Sequence, residues 1–249
     1  MGIRSEIRRR TPRVRPSLAS GLSPLLFATG AATRRVLKDE INSRRRKLTR
    51  VSMWHEPTGQ LGADACRALP TFEVELASDR SHNRSRASLG YSLTSVPAPA
   101  TSIIERHRVD IERYLGSNFR AAETYVFRNY SLPVELQGYD VYSNVWHQDT
   151  MLGNRLLKLF VALDDISVKD GPLSYVPARH VTDVYFSEFR ERYEVGEIGK
   201  PRTLSHAKQF TGSKGAYVFV NTAYSLHSAG IPLESRDMLQ VLLLPEWAA

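Results

Sequence analysis

The second half of the chain is a series of short apolar segments separated by turn residues, the pattern typical of an all-β protein. Within each segment, apolar positions either alternate with polar ones or form a short continuous run, and Gly, Pro, Asp and Ser lie between the segments. No internal repeat is present. The pattern predicts strands over residues 123–130, 138–149, 156–163, 173–176, 215–221, 225–229 and 238–244.

Helical patterns flank these segments. Ser102 and Glu105 have the spacing of a capping box, apolar residues follow at helical intervals, and Gly116 predicts the helix end. His107 lies on the apolar stripe, so we interpret it as a packed histidine and not as a ligand. Residues 183–193 predict a second short helix. The elements together predict a mainly β fold with flanking helices, a double-stranded β-helix of the jelly-roll, cupin-like type.

Two segments before the first helix have the composition of connections. Residues 78–88 are polar and basic and predict a loop, and residues 95–100, with two prolines, predict a linker.

The positive charge of the chain is concentrated at its N-terminus. Of 249 residues, the first 50 hold 14 Lys and Arg against 3 Asp and Glu, whereas the rest hold 20 against 23. We therefore predict a basic N-terminal arm or helix over residues 1–50 and a single barrel domain over residues 51–249. The basic run at residues 44–47 could contact nucleic acid, anionic lipid or an acidic partner, but a solvated helix face is the better interpretation, and the run lacks the interleaved aromatic residues of single-stranded nucleic-acid grooves.

No membrane span is expected, because no segment approaches the roughly 18 consecutive apolar residues that a span requires. Residues 18–32 follow an arginine-rich start and weakly match a signal peptide, but Gly, Ser and Pro interrupt them and favour a packed or flexible extension. Cys66 is the only cysteine, which excludes an intrachain disulfide and suits a reducing compartment. We therefore expect a cytoplasmic protein.

Three residues have the character of metal ligands. His147 and Asp149 are two positions apart in a predicted strand, so both side chains lie on one face, and His227 follows in a later strand. Two histidines and one carboxylate are the set with which non-haem Fe(II) oxygenases hold iron. An isolated His-x-Asp is more often a surface pair, so the surrounding sequence decides between the two interpretations.

That surrounding sequence resembles the phytanoyl-CoA dioxygenase family of Fe(II)- and 2-oxoglutarate-dependent oxygenases, over roughly residues 120–245. His147 and Asp149 match the family's H-x-D. The segment 171–180 matches its G-P-L-x-x-x-P-x-x-H pattern, although Ala follows the proline where the family often has Gly. His227 matches the distal histidine, and Arg236 matches the arginine that pairs with the 2-oxoglutarate carboxylate.

The resemblance implies that His147, Asp149 and His227 form the catalytic metal site, with Fe(II), 2-oxoglutarate and O2 as cofactor and cosubstrates. The family couples oxidative decarboxylation of 2-oxoglutarate to oxidation of an unactivated C–H bond. Asp149 favours hydroxylation, because related halogenases have a small residue there, whereas desaturation and ring formation use the same ligands. We expect a small-molecule or carrier-linked substrate, selected by loops around residues 63–100 and 183–212.

We expect a cationic side chain to bind the far carboxylate of the cosubstrate. Arg236 suits it, because its planar guanidinium can bind a carboxylate through two hydrogen bonds, and an ordinary ion pair with Asp237 or Glu234 is the alternative. Lys158 is a second candidate, unless it extends outward past its apolar neighbours. Met238 stands where the wider superfamily often has a hydroxyl that assists the carboxylate.

Two other functions stay open. The barrel could bind a metal or small ligand without turnover, or use zinc as a cupin-like isomerase or hydrolase does. Alternatively, an oxygenase could modify nucleic acid through the basic arm. The oligomeric state and the natural substrate do not follow from the residues.

Overall fold

The structure, a computed structural model, describes residues 54–73, 87–139, 141–149, 155–181, 192–193 and 204–246. The basic arm, most of the loop predicted at 78–88 and the first nine positions of the helix predicted at 183–193 lie outside these ranges. The division into an arm and a barrel domain therefore stays a prediction.

Within the described ranges the backbone forms short strands and three α-helices. The helices are α1 (Ala63–Arg67), α2 (Ala98–Arg106) and α3 (Arg108–Leu115). The strands are β1 (Thr58–Gln60), β2 (Ser88–Ser92), β3 (Phe119–Tyr130), β4 (Trp146–His147), β5 (Leu157–Ala162), β6 (Leu173–Val176), β7 (Arg192–Tyr193), β8 (Lys208–Gln209), β9 (Ala216–Val220), β10 (Leu226–Ala229) and β11 (Ser235–Pro245).

The strands build two antiparallel sheets. The larger sheet has the order β1-β9-β5-β11-β3-β2, and the smaller has the order β7-β4-β10-β6-β8. The chain passes from β3 in the larger sheet to β4 in the smaller, back to β5, on to β6, and later from β9 to β10 to β11 in the same alternation. This winding between two sheets is that of a double-stranded β-helix, so the predicted jelly-roll fold is confirmed.

The larger sheet has apolar residues on both faces. On one face Leu159 and Val241 pack with Ile103 and Ile111 of the helices. The other face packs against the smaller sheet in a second apolar cluster. That cluster comprises Phe160, Ala162, Ile166, Leu173, Tyr175, Phe210, Ala216, Val218, Val220 and Met238. Because successive residues of a strand alternate between faces, one strand contributes to both cores.

The helical segment differs from its prediction at the N-terminal end. It starts at Ala98 after an extended Pro97, and Ser102 Oγ donates to the Ala98 carbonyl instead of capping the helix. The capping-box prediction and the last part of the linker predicted at 95–100 are therefore wrong, because a proline in the first helical turn starts the helix without a side-chain cap. Gly116 ends the segment with a left-handed backbone, as predicted. No helix in the described ranges is long and apolar enough to span a bilayer.

His107 separates α2 from α3 and is packed, as predicted. Its ring meets Phe219 edge-on at a centroid distance of 5.4 Å, and its Nε2 lies 3.1 Å from the Tyr217 hydroxyl. Burial, followed by the charge of Arg106, lowers the pKa of His107.

The strand predicted over residues 138–149 is reduced to Trp146–His147. Before it, the side chain of Asn144 accepts hydrogen bonds from the backbone N–H groups of Val141 and Tyr142, at 2.7 and 3.3 Å. Such local bonds compete with a strand ladder and produce a turn. The helix predicted at 183–193 is also wrong at its end, because Arg192 and Tyr193 pair with β4 as a strand.

Candidate metal centre

His147, Asp149 and His227 converge on one point between the sheets. His147 in β4 and His227 in β10 are direct partners across the antiparallel pair, and their ring centroids are 4.0 Å apart. Asp149 follows β4, where its backbone N–H donates to the Thr222 carbonyl at 2.8 Å. One ligand atom from each of the three residues lies within 4.8 Å of the others, so the group can hold a metal ion.

Backbone carbonyls orient both imidazoles. His147 Nδ1 lies 2.9 Å from the Val145 carbonyl oxygen, and His227 Nδ1 lies 3.1 Å from the Ser225 carbonyl oxygen. A carbonyl can only accept, so each Nδ1 carries the proton and each Nε2 keeps a lone pair. His147 Nε2 is 3.8 Å from Asp149 Oδ1, and His227 Nε2 is 3.6 Å from Oδ2. The donor atoms of all three residues therefore face one another, as bound histidines in metal sites require.

The protonation states suit a divalent cation. Burial, followed by the neighbouring His147, lowers the pKa of His227 well below its ordinary value. Burial would raise the pKa of Asp149, but the charge of Lys158, followed by the neighbouring His227 when it is protonated, outweighs burial and lowers that pKa below its usual range. At neutral pH the site thus offers neutral imidazole from His227 and an ionised carboxylate, the forms that coordinate metals.

Lys158 contacts the centre directly. It lies on the face of β5 that also carries Phe160 and Ala162, which pack against the smaller sheet. Its Nζ is 2.8 Å from Asp149 Oδ2, and the Lys158 side chain is 15% exposed. The alternative that Lys158 extends outward is therefore wrong. The sequence could not decide this, because β5 is apolar on both faces.

Arg236 is buried on β11 and forms no direct ion pair with a described residue, although the charge of Asp170 is near enough to raise its pKa against the larger effect of burial. The residue is 3% exposed, and Nη1 donates a long hydrogen bond of 3.4 Å to the Gly230 carbonyl. Its Nε is buried and has no hydrogen-bond partner among the described residues. Burial lowers the pKa of Arg236 to about 10, so the group is still charged at neutral pH. A buried cation with unmet donors is costly unless an anion binds it.

The alternative ion pair for Arg236 does not form in the described part of the chain. Asp237 accepts two hydrogen bonds of 2.6 Å from Arg128, through Nε and Nη2. Asp237 follows Arg236 on a strand, so its side chain lies on the other face of the sheet. Glu234 likewise forms no ion pair with Arg236. The guanidinium is thus available for a ligand.

The two candidate cations lie at different positions along the barrel. Leu242 of β11 pairs with Lys158, whereas Arg236 is six residues further back on that strand. The side-chain contacts place the charged ends: Lys158 Nζ contacts Asp149, and Arg236 Nη1 contacts the carbonyl of Gly230, three residues beyond His227. Lys158 therefore lies at the metal ligands, and the Arg236 guanidinium lies further along β10.

Tyr142 is a neighbour of Arg236 that sequence reasoning missed. It is 7% exposed, and its hydroxyl donates to the Tyr130 carbonyl at 3.2 Å. Burial raises the pKa of Tyr142 to about 12, and the charge of Arg236 opposes that shift. The prediction placed Tyr142 in a regular strand, so no periodic signal distinguished it.

The histidine of the G-P-L motif lies outside the triad. The His180 ring stacks on His206 at 4.1 Å and 11°, and Arg179 Nε donates to His180 Nε2 at 3.2 Å. Arg179 also forms an ion pair of 3.1 Å with Glu56. This cluster supports the turn after β6.

Neither the protein-family models nor the curated proteins include a match to this sequence. Among solved structures, HygX from Streptomyces hygroscopicus with nickel, 2-oxoglutarate and hygromycin B is 16% identical, with a TM-score of 0.47 over 77% of this chain and 82% of that chain. SnoN, an α-ketoglutarate-dependent epimerase from nogalamycin biosynthesis, is 16% identical, with a TM-score of 0.48 over 82% and 81%. AviO1 from Streptomyces viridochromogenes Tue57 is 14% identical, with a TM-score of 0.46 over 83% and 96%. Likenesses this distant assign no activity to the chain.

Proposed function

We propose that this protein is an Fe(II)- and 2-oxoglutarate-dependent oxygenase of the phytanoyl-CoA dioxygenase type, which oxidises an unactivated C–H bond of a small or carrier-linked metabolite. The observation that carries the proposal is the arrangement of His147, Asp149 and His227, whose ligand atoms lie within 4.8 Å of one another. Both imidazoles present Nε2 to that point, and the carboxylate completes a two-histidine, one-carboxylate set.

The buried arginine supports the same cosubstrate. Arg236 lies further along the barrel interior, and its buried Nε has no partner among the described residues, so it can bind the far carboxylate of 2-oxoglutarate while the keto acid end reaches the metal. The Tyr142 hydroxyl is buried nearby and could assist only by turning its one O–H from the Tyr130 carbonyl, and Met238 offers no hydroxyl. A metal bound alone would not account for a charged arginine at this depth.

In this proposal each of the site residues has a separate role. His147, Asp149 and His227 hold Fe(II), and the Nδ1 hydrogen bonds keep both rings in the coordinating tautomer. Arg236 orients the cosubstrate. The bound iron and 2-oxoglutarate supply the oxidising chemistry with O2, and the apolar walls between the sheets limit the access of water. Hydroxylation is the proposed outcome, and a cytoplasmic location stays part of the proposal.

Anaerobic addition of Fe(II) and 2-oxoglutarate tests the ligand set. We expect the weak visible charge-transfer band of an iron-bound 2-oxo acid in the wild type and its loss in His147→Ala and Asp149→Ala, because each removes one metal ligand. His206→Ala removes an exposed histidine that stacks on His180 and is the matched control, which should keep the band. Bands of equal strength in all four proteins would exclude this metal site.

Two further measurements separate the alternatives. Metal analysis of the purified chain distinguishes iron from zinc, and zinc without 2-oxoglutarate binding would favour a cupin-like isomerase, hydrolase or binding protein. Deletion of residues 1–50 tests the nucleic-acid hypothesis. If succinate release with a metabolite library survives the deletion and the full chain has no measurable affinity for polynucleotides, that hypothesis is excluded.

A further inference from the structure

Lys158 is an unusual neighbour for a metal ligand, because its ammonium carries the same sign of charge as the ion that the ligand would bind. Nζ lies 2.8 Å from Asp149 Oδ2, the oxygen that also faces His227 Nε2 at 3.6 Å. A divalent ion between the three ligands must therefore share Asp149 with Lys158. The two cations would be only a few ångströms apart in a site from which water is largely excluded.

The net charge of three side chains shows how the cosubstrate changes the binding of the metal ion. Asp149, Lys158 and Arg236 sum to one positive charge, a divalent ion alone raises that sum to three, and a dianionic 2-oxo acid returns it to one. Repulsion between Lys158 and the ion opposes binding of the metal alone. It is relieved when the metal-binding carboxylate of the cosubstrate arrives beside the ammonium, since opposite charges at contact distance attract in a buried site.

We propose that Lys158 strengthens the mutual dependence of metal and 2-oxoglutarate binding beyond that which direct contact between the two creates, so that the ion is held weakly until the dianionic cosubstrate joins it. This inference rests on the proposed function. It gives Lys158 a role at the metal ligand Asp149, whereas Arg236, which contacts the Gly230 carbonyl, binds the distal carboxylate. Lys158 is thus a positioning residue that acts through Asp149 and the cosubstrate.

The coupling is measured with Ni(II), a redox-inert substitute for iron, by calorimetric titration with and without saturating 2-oxoglutarate. The coupling factor is the ratio of the two Kd values for Ni(II). In Lys158→Met, which keeps chain length and loses the charge, we expect this factor to fall at least about fivefold, the lower end of typical couplings. Ni(II) alone should bind the variant at least as tightly as the wild type. Lys158→Arg should retain most of the coupling.

A merely structural role predicts a different result, in which both Kd values rise together and their ratio is unchanged. Lys214→Met is the charge-matched control, because Lys214 precedes β9 at the end of that strand opposite the Val220 that pairs with Lys158. By reciprocity, Ni(II) must change the affinity for 2-oxoglutarate by the same factor, which gives an independent check.

An unchanged coupling factor in folded Lys158→Met would overturn the inference. If that variant does not fold, Lys158→Gln removes the charge while keeping a polar end, and its factor decides in the same way. Wild-type protein that binds Ni(II) but shows no coupling also contradicts the role of Lys158. Failure of the wild type to bind Ni(II) at all contradicts the proposed function itself, so the two failures are distinguishable.

Discussion

Among single residues, Arg236 is a buried cation whose Nε has no hydrogen-bond partner within the described ranges. It is buried, charged at neutral pH, and bound only to the Gly230 carbonyl within the described ranges. Natural proteins rarely leave such a group unpaired, because the desolvation of a charge is expensive. The most direct consequence is that an anion stabilises this position.

We therefore expect Arg236→Met to weaken 2-oxoglutarate binding while sparing the metal. Charge-assisted hydrogen bonds contribute about 1.5–3 kcal/mol each, so loss of one raises the Kd roughly 10- to 150-fold. Titration of the Ni(II)-loaded protein with 2-oxoglutarate measures this change. Arg128→Met is the control, since Arg128 pairs with Asp237 on the other face and should alter stability but not this affinity. Normal cosubstrate affinity in the first variant would mean that another group anchors it.

Individual ligands could be predicted from the sequence where spacing and residue type agree. The i, i+2 spacing of His147 and Asp149 and the later His227 point to a common face, and the structure brings all three together. The contact between Lys158 and Asp149 could not be predicted, because it depends on which face of β5 points inward and on a partner from another sheet. Tyr142 was missed because it belongs to an irregular turn.

At the scale of elements, the turn after residues 168–170 is held by a close backbone approach. Gly171 has φ of 58°, and a Cβ there would lie 2.4 Å from the Ile231 carbonyl carbon and 2.5 Å from the Pro232 nitrogen. The adjoining Gly230 carbonyl is the acceptor for Arg236. The conformation of this turn therefore affects the position of the carbonyl that Arg236 contacts, as well as the stability of the barrel.

Gly171→Ala should lower the free energy of unfolding by at least about 1 kcal/mol, the cost of a left-handed alanine, and by more if the facing backbone cannot move. Urea denaturation measures the loss. Gly138→Ala is the matched control, because nothing lies within 4 Å of its Cβ position and its backbone needs no positive φ. Equal stability of the two variants would indicate that the turn adjusts freely.

Periodicity predicted four strands closely, whereas β3 and β11 are longer than predicted and β1 and β2 were not predicted. Predicted 173–176 agrees with β6, β5 and β9 are one residue shorter than predicted at each end, and β10 is one residue shorter at its start. The two-residue strands β4, β7 and β8 have no periodic signal of their own, because two positions cannot establish a period. Side-chain hydrogen bonds of Asn144 account for the shortened strand β4, and the proline in the first turn accounts for the start of α2.

At the scale of the whole molecule, titratable groups make stability depend on pH. The pKa values of His107 and His227 are lowered in the native state. As pH falls below about 6.5, the unfolded chain therefore binds protons that the native state does not bind, and the native state loses stability. The native pKa of Asp149 is also lowered, so the stability that it contributes is lost as pH falls through and below about 4. All three pKa shifts therefore lower the free energy of unfolding as pH falls.

We thus expect the free energy of unfolding of the metal-free protein to fall as pH is lowered from about 7 to about 4. Urea titrations at several pH values measure the slope. His107→Gln removes one titrating group away from the metal site and keeps a polar neighbour for Tyr217. Its slope between about pH 7 and pH 5 should be shallower than that of the wild type. An identical slope would mean that the packed His107 does not contribute.

The overall winding was predictable because alternation between sheets follows from many short strands with inward and outward faces. The pattern could not predict how far the helices cover the outside of the larger sheet, because this depends on the second apolar face of that sheet.

The direct pairing of His147 with His227 has one more consequence. Strand β4 has two residues and a single register partner in β10, so its backbone ladder alone is a weak attachment. A coordinated ion would fasten it to the neighbouring strand as a cross-link does, and would tie together two points far apart along the polypeptide. Binding of the cation would then also set the register of β4 against β10, since a slip by one residue would turn an imidazole toward the opposite surface.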